Sequence, residues 1–168
     1  MKILIFGTPG SGKTTIASKL NQKAPIPLYH IDSLFFHPGW IEKESCLFLD
    51  ELKKIIQTED WIIEGNAMQS LQLRYQNADI AIYLNFPRRI CLFRAFKRHI
   101  RSLIHSKKNP SSKLTWKFLR YLWNYSKRYQ MQIESLHKKY PKVIFYEVKN
   151  REQIKKLIHK LNKLHLLN

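Results

Sequence analysis

Gly7-Thr8-Pro9-Gly10-Ser11-Gly12-Lys13-Thr14 is the stretch on which the fold turns. It keeps the spacing glycine, four residues, Gly-Lys-Thr, and its flanks supply the context that pattern requires. Upstream, Met1 to Phe6 is an apolar run ending at Gly7; downstream, Lys13 to Gln22 carries Ile16, Ala17 and Leu20 at helical spacing. Strand, glycine-rich turn and helix in that order make a P-loop. Glycines let successive backbone N–H groups turn inward on phosphates, and the helix N-terminus adds the positive end of its dipole. Gly7, Pro9, Gly10, Ser11, Gly12, Lys13, Thr14 and Thr15 therefore form the candidate nucleotide-binding set, with Lys13 reaching the outer phosphates and the Thr14 hydroxyl offered to Mg²⁺.

Beyond the loop, strands and helices alternate without an internal repeat. Ile26 to Ile31 reads as a second strand with Asp32 at its carboxyl end, and a loop with Pro38-Gly39 follows. Glu44 to Gln57 repeats Leu47, Phe48, Leu52, Ile55 and Ile56 as an amphipathic helix, and Trp61-Ile62-Ile63 is a short strand ending at Glu64-Gly65-Asn66. Met68 to Tyr75 reads as a short helix and Ile80 to Leu84 as the continuous apolar run of a strand buried on both faces. Two long helices, from Arg88 to about His105 and from about Leu114 to Lys139, flank a polar break at Ser106 to Ser112, a candidate mobile lid. Val143 to Val148 and Glu152 to Leu164 are the last strand and helix. The expectation is a three-layer α/β fold: one domain over 1–168, a five-stranded parallel sheet with helices on both faces, and a basic helical lid over about 88–130.

Composition narrows the setting. A 168-residue chain with 44% apolar residues buries the core of one domain. No run approaches the ~18 apolar residues of a membrane span, and the apolar start leads into the loop without a signal-peptide cleavage pattern. Cys46 and Cys91 stand apart from any ligand pattern and read as buried residues of a reducing compartment, so a cytoplasmic protein without a membrane partner is expected. The net charge of +18 is unevenly placed: residues 80–133 carry thirteen Lys and Arg and no acid. Such a field attracts polyanions, whether nucleic acid, an acidic membrane surface or nucleotide phosphates.

Ligands of open α/β sheets sit beyond the carboxyl ends of the strands, where Asp32 and Glu64 both fall. Either suits Mg²⁺, and Asp32 also suits the proton of an attacking hydroxyl; Asp32 as a simple turn cap is the alternative. The strand from Ile80 ends in Asn85, which supplies no charge for a metal. Arg94, Arg98 and Arg101, spaced four and three, share one helical face and suit a transferring phosphoryl group, while Ile90, Cys91, Phe93, Ile100, Leu103 and Ile104 are read as apolar anchorage. Arg74 is read either as a holder of an anionic acceptor or as a surface residue. The rings from Trp116 to Tyr129 are read mainly as packing, with a base-stacking surface as the alternative, and His30 as a hydrogen-bond partner rather than a metal ligand.

Tyr29-His30-Ile31-Asp32-Ser33-Leu34-Phe35-Phe36 with Pro38-Gly39-Trp40, Trp61 to Asn66, Leu84-Asn85-Phe86-Pro87-Arg88 and the Arg94/Arg98 helix, together with the P-loop, resemble the adenylate-kinase-like proteins of the DNA topology modulation (FlaR-related) family. The resemblance spans nearly the whole chain. It implies a nucleoside-kinase-like fold, ATP as nucleotide and a lid built from the basic helices. Two positions depart from the family pattern: Glu64 stands where Asp is usual, and Asn85 where a strand commonly ends in Leu-Asp. Three functions follow as expectations. The first is a Mg²⁺-ATP phosphotransferase acting on an unidentified small acceptor, an anionic one included, with Lys13, Asp32, Arg94, Arg98 and Arg101 catalytic and Thr14, Glu64 and Asp32 holding the metal. The others are an ATP-responsive nucleic-acid-binding protein and a nucleotide-binding scaffold with little turnover.

Overall fold

In β1, Lys2–Gly7, alternate side chains enter two different cores, which is why the strand is apolar at each position from Ile3 to Phe6 rather than at every second one. Ile3 and Ile5 pack with Ile16, Ala17 and Leu20 of α1 (Lys13–Asn21), and Leu4 and Phe6 pack on the opposite face. The computed structural model describes residues 1–24, 26–37, 41–105 and 114–163. After α1 come β2 (Leu28–His30), α2 (Ile31–Phe35), the two-residue strands β3 (Phe36–His37) and β4 (Ile41–Glu42), α3 (Ser45–Gln57) and β5 (Trp61–Glu64). A 3₁₀ turn at Met68–Ser70 leads into α4 (Leu71–Gln76), followed by β6 (Ile80–Leu84), α5 (Arg88–His105), α6 (Trp116–Lys139), β7 (Ile144–Val148) and α7 (Arg151–Lys163).

Five strands form one sheet in the order β2-β5-β1-β6-β7, and all four pairings are parallel. Helices α1, α5 and α7 cover one face through Leu20, Cys91, Ala95, Leu157 and Leu161. The other is covered by α3, α4 and α6 through Phe48, Leu52, Tyr75, Tyr125 and Ile133. This is the expected α/β architecture. β1 connects toward β2 on one side while its neighbour β6 connects toward β7 on the other, so the order reverses between β1 and β6 and opens a crevice beyond their carboxyl ends.

Several local expectations are corrected. β2 covers three residues, so the chain already turns into α2 at Ile31, and Asp32 lies in the first turn of that helix just past the strand's carboxyl end. The β3-β4 ladder was not expected from the sequence. Cys46 is exposed; only Cys91 is buried. On α5 the apolar residues divide: Cys91 is buried, whereas Ile90, Phe93, Ile100, Leu103 and Ile104 are exposed rather than anchored in the core. Pro38-Gly39 and the break at Ser106 to Ser112 lie outside the described residues, as does the end of the last helix at Leu164. Among the described residues, no helix is long and apolar enough to cross a membrane.

Candidate active site

The loop after β1 is held from three sides. Thr8 N donates to Leu84 O of β6 at 3.0 Å, and Gly7 N donates to Asn66 Oδ1 at 3.2 Å. From α5, Arg94 Nη1 donates to Ser11 O at 3.0 Å while its guanidinium lies 4.9 Å from the Phe86 ring centre. Gly10 has φ +80°, and a Cβ there would lie 2.6 Å from Cys91 O, so the loop can pack against α5 only with glycine at this point.

Lys13 folds back over its own loop, donating to Gly7 O at 3.1 Å and to Thr8 O at 3.4 Å. Burial pushes its pKa down while Glu64 and Asp32 hold it up. An ammonium whose partners among the described residues are backbone carbonyls is ready to exchange them for a stronger, charged acceptor. The Ser11 hydroxyl, also in the loop, is buried without a hydrogen-bond partner. A glycine-lined turn, an orphan hydroxyl and a lysine held by carbonyls fit nucleotide phosphates.

Beneath the loop, Glu64 Oε1 accepts from Thr14 Oγ1 at 3.0 Å and lies 2.7 Å from His30 Nδ1. The parallel register places His30 directly opposite Glu64, so the β2-β5 pairing assembles this contact. A hydroxyl beside a carboxylate is a donor set for a hard cation such as Mg²⁺. No group of three His, Cys, Asp or Glu suited to a metal occurs among the described residues. Asp32 comes in from α2, where its Oδ1 stands 3.5 Å from the position a Cβ would take on Gly65. Burial raises its pKa, Lys13 opposes and Glu64 reinforces the rise. The residue as a whole is exposed to solvent, which weakens all three effects.

The structure brings Lys13, Thr14, Glu64, Asp32 and Arg94 to one end of the sheet. Gly7, Pro9, Ser11, Gly12 and Thr15 follow as part of the same loop and helix start. Arg98 is exposed, yet close enough to Lys13 to lower the lysine's pKa, while Arg101 is exposed further along the helix.

Arg74 is neither on the surface nor open to an acceptor. It is fully buried, donating through Nη1 to Gly65 O at 3.1 Å, through Nη2 to Ala67 O at 2.8 Å and through Nε to Ser70 Oγ at 3.2 Å. Burial draws its pKa down to about 10, with Tyr125 and Asp32 holding it up, so it stays charged at neutral pH. Its task is to brace the turn after β5. Arg74→Met removes all three bonds, although Ala67 O keeps Ser70 N and Ser70 Oγ as donors, and is expected to cost roughly 2 kcal/mol, read as a melting temperature lower by about 6 °C.

Asn66 and Ser126 are the residues that sequence reading missed. Asn66 Oδ1 accepts from Gly7 N and also from Tyr125 OH at 3.3 Å, tying the loop to α6. Its signal was the glycine before it at a strand end. Ser126 Oγ donates to Asn85 Oδ1 at 2.9 Å and lies 3.5 Å from Thr8 Oγ1, while Asn85 Nδ2 donates to Glu147 Oε1 at 2.8 Å. Asn85 is thus one member of a hydrogen-bonded chain that runs from the Glu147 carboxylate to Thr8.

No family model matches the chain. Among solved structures, the fold is similar to a shikimate kinase from Bacteroides thetaiotaomicron, with a TM-score of 0.60 at 16% identity over 99% of both chains. A shikimate kinase from Aquifex aeolicus has a TM-score of 0.51 at 20% identity, covering 100% of both chains. A deoxyadenosine kinase from M. mycoides, solved with the products dCMP and a flexible dCDP bound, has a TM-score of 0.57 at 19% identity, over 97% of this chain and 100% of that one. These likenesses place the chain in the P-loop kinase fold.

Proposed function

We propose that this protein is an ATP- and Mg²⁺-dependent phosphotransferase that phosphorylates a hydroxyl of a small acceptor. The observation that carries the reading is the contact of Thr14 with Glu64 directly behind a phosphate-fitted loop, with Asp32 standing beside Gly65 at the same end of the sheet. Lys13 and the loop amides would hold the outer phosphates of ATP, and Thr14 and Glu64 would hold Mg²⁺, which would supply positive charge to those phosphates. Asp32 accepts the proton of the acceptor hydroxyl as its oxygen bonds to the γ-phosphorus and the bond to the bridging oxygen breaks, so ADP leaves. Arg94 keeps the loop in shape, and Arg98 and Arg101 supply positive charge from the same helix face. The solved kinases of this fold act, by their names, on shikimate or on a deoxynucleoside, which supports a small hydroxylated acceptor here.

The whole described chain serves one site in this reading, as a single domain. Two free cysteines, Cys46 and Cys91, and the absence of a membrane-crossing helix among the described residues fit action in the cytosol.

Asp32→Asn tests the assignment. It removes the base while keeping size and polarity, so acceptor-dependent turnover should fall by about a hundredfold or more while ATP affinity stays within about twofold. Unchanged turnover would remove Asp32 from the chemistry.

A further inference from the structure

Helix α5 has two faces of different character. Its inner face carries Cys91 and Ala95, both buried, with the Cys91 carbonyl against Gly10 and Arg94 on Ser11 O. On the opposite side Phe93, Phe96, Ile100, Leu103 and Ile104 follow one another at steps of three, four, three and one, so they share one stripe. They are 67%, 54%, 41%, 57% and 68% exposed. Scattered exposed apolar side chains are ordinary, but five large ones in a continuous stripe mark a surface that meets something.

The charge around the stripe decides what that is. Arg89 precedes it, Lys97 interrupts it, and residues 80–133 contain no acid at all. A second copy of a +18 chain would bring like charge against like charge across this face. Nucleic acid satisfies the cations, but it offers nothing to Ile100, Leu103 and Ile104, which neither hydrogen-bond nor stack. An anionic lipid surface satisfies both parts, because headgroups meet the Lys and Arg while the apolar side chains sink to the acyl boundary.

We propose that the outer face of α5 docks this protein on anionic membrane surfaces, lying in the interface without crossing it. The inner face of the helix stays on the P-loop, so docking leaves the nucleotide site intact.

The test is co-sedimentation of the full chain with vesicles of phosphatidylcholine alone and of phosphatidylcholine with about one-third phosphatidylserine. Binding is expected on the anionic vesicles, and Phe96→Ser with Ile100→Ser should weaken it about tenfold or more. That double variant should keep the wild-type melting temperature and its stabilisation by ATP, which shows that it is folded. Arg89→Gln with Lys97→Gln should weaken binding to anionic vesicles as well. Three results would each overturn the proposal: no binding to anionic vesicles; vesicle binding that the serine variant retains in full; or self-association through this face, seen as a dimer that the serine variant loses. Duplex DNA binding that survives the serine substitutions, without vesicle binding, would assign the charge to nucleic acid instead.

Discussion

Lys13→Ala is expected to lower turnover of Mg²⁺-ATP by at least about a thousandfold and to remove most of the thermal stabilisation that ATP confers. Among the described residues the lysine is the one ammonium that donates into the loop, and its bonds to Gly7 O and Thr8 O are held in the protein itself. In the ternary complex that charge is needed most where negative charge gathers during transfer, which places the larger loss on turnover. The substitution should cost little in folding, because a lysine whose pKa is pushed down by burial is not a favourable buried charge. The measurement is ADP release together with a melting curve with and without nucleotide. A variant that melts normally, binds ATP normally and turns over normally would remove the P-loop from the activity.

Gly7→Ala is expected to act on folding rather than chemistry, and to act strongly. Gly7 ends β1 with φ +137°, and a Cβ there would fall 2.3 Å from Leu84 O and 2.7 Å from Leu84 N. Both atoms belong to the backbone of the neighbouring strand, paired in register with Gly7, so they cannot turn away as a side chain would. Backbone strain and overpacking together should cost about 4 kcal/mol, a melting temperature lower by roughly 8–16 °C for a chain of this size. A methyl group accepted at this position within about 2 °C of wild type would show that β1 and β6 do not approach as described.

Much of the fold was legible because the central strands are buried on both faces. Ile80–Leu84 is apolar throughout, and strand β6 has those limits. β2 was harder: its described neighbours include Pro27, its three residues are only half-buried, and the chain turns into α2 at Ile31. On α5 the sequence reading put Cys91 in one set with residues that lie outside, because periodicity carries no information on which face another element covers. The same limit governs the site. The P-loop is local and announces itself, whereas the Thr14–Glu64–His30 contact joins residues brought together by parallel pairing of β2 with β5. Arg74 shows the converse, since a sequence displays an arginine but not the backbone carbonyls that occupy it.

The central claim is transfer from ATP to a small hydroxylated acceptor, and its direct measurement is ADP release from Mg²⁺-ATP across nucleotides, nucleosides, sugars and duplex DNA, with Lys13→Ala in parallel. The account predicts acceleration by one small-molecule class, a phosphorylated product of matching mass, and loss of both in the variant. Acceleration by DNA alone, by nothing in the panel, or equally in the variant would contradict it.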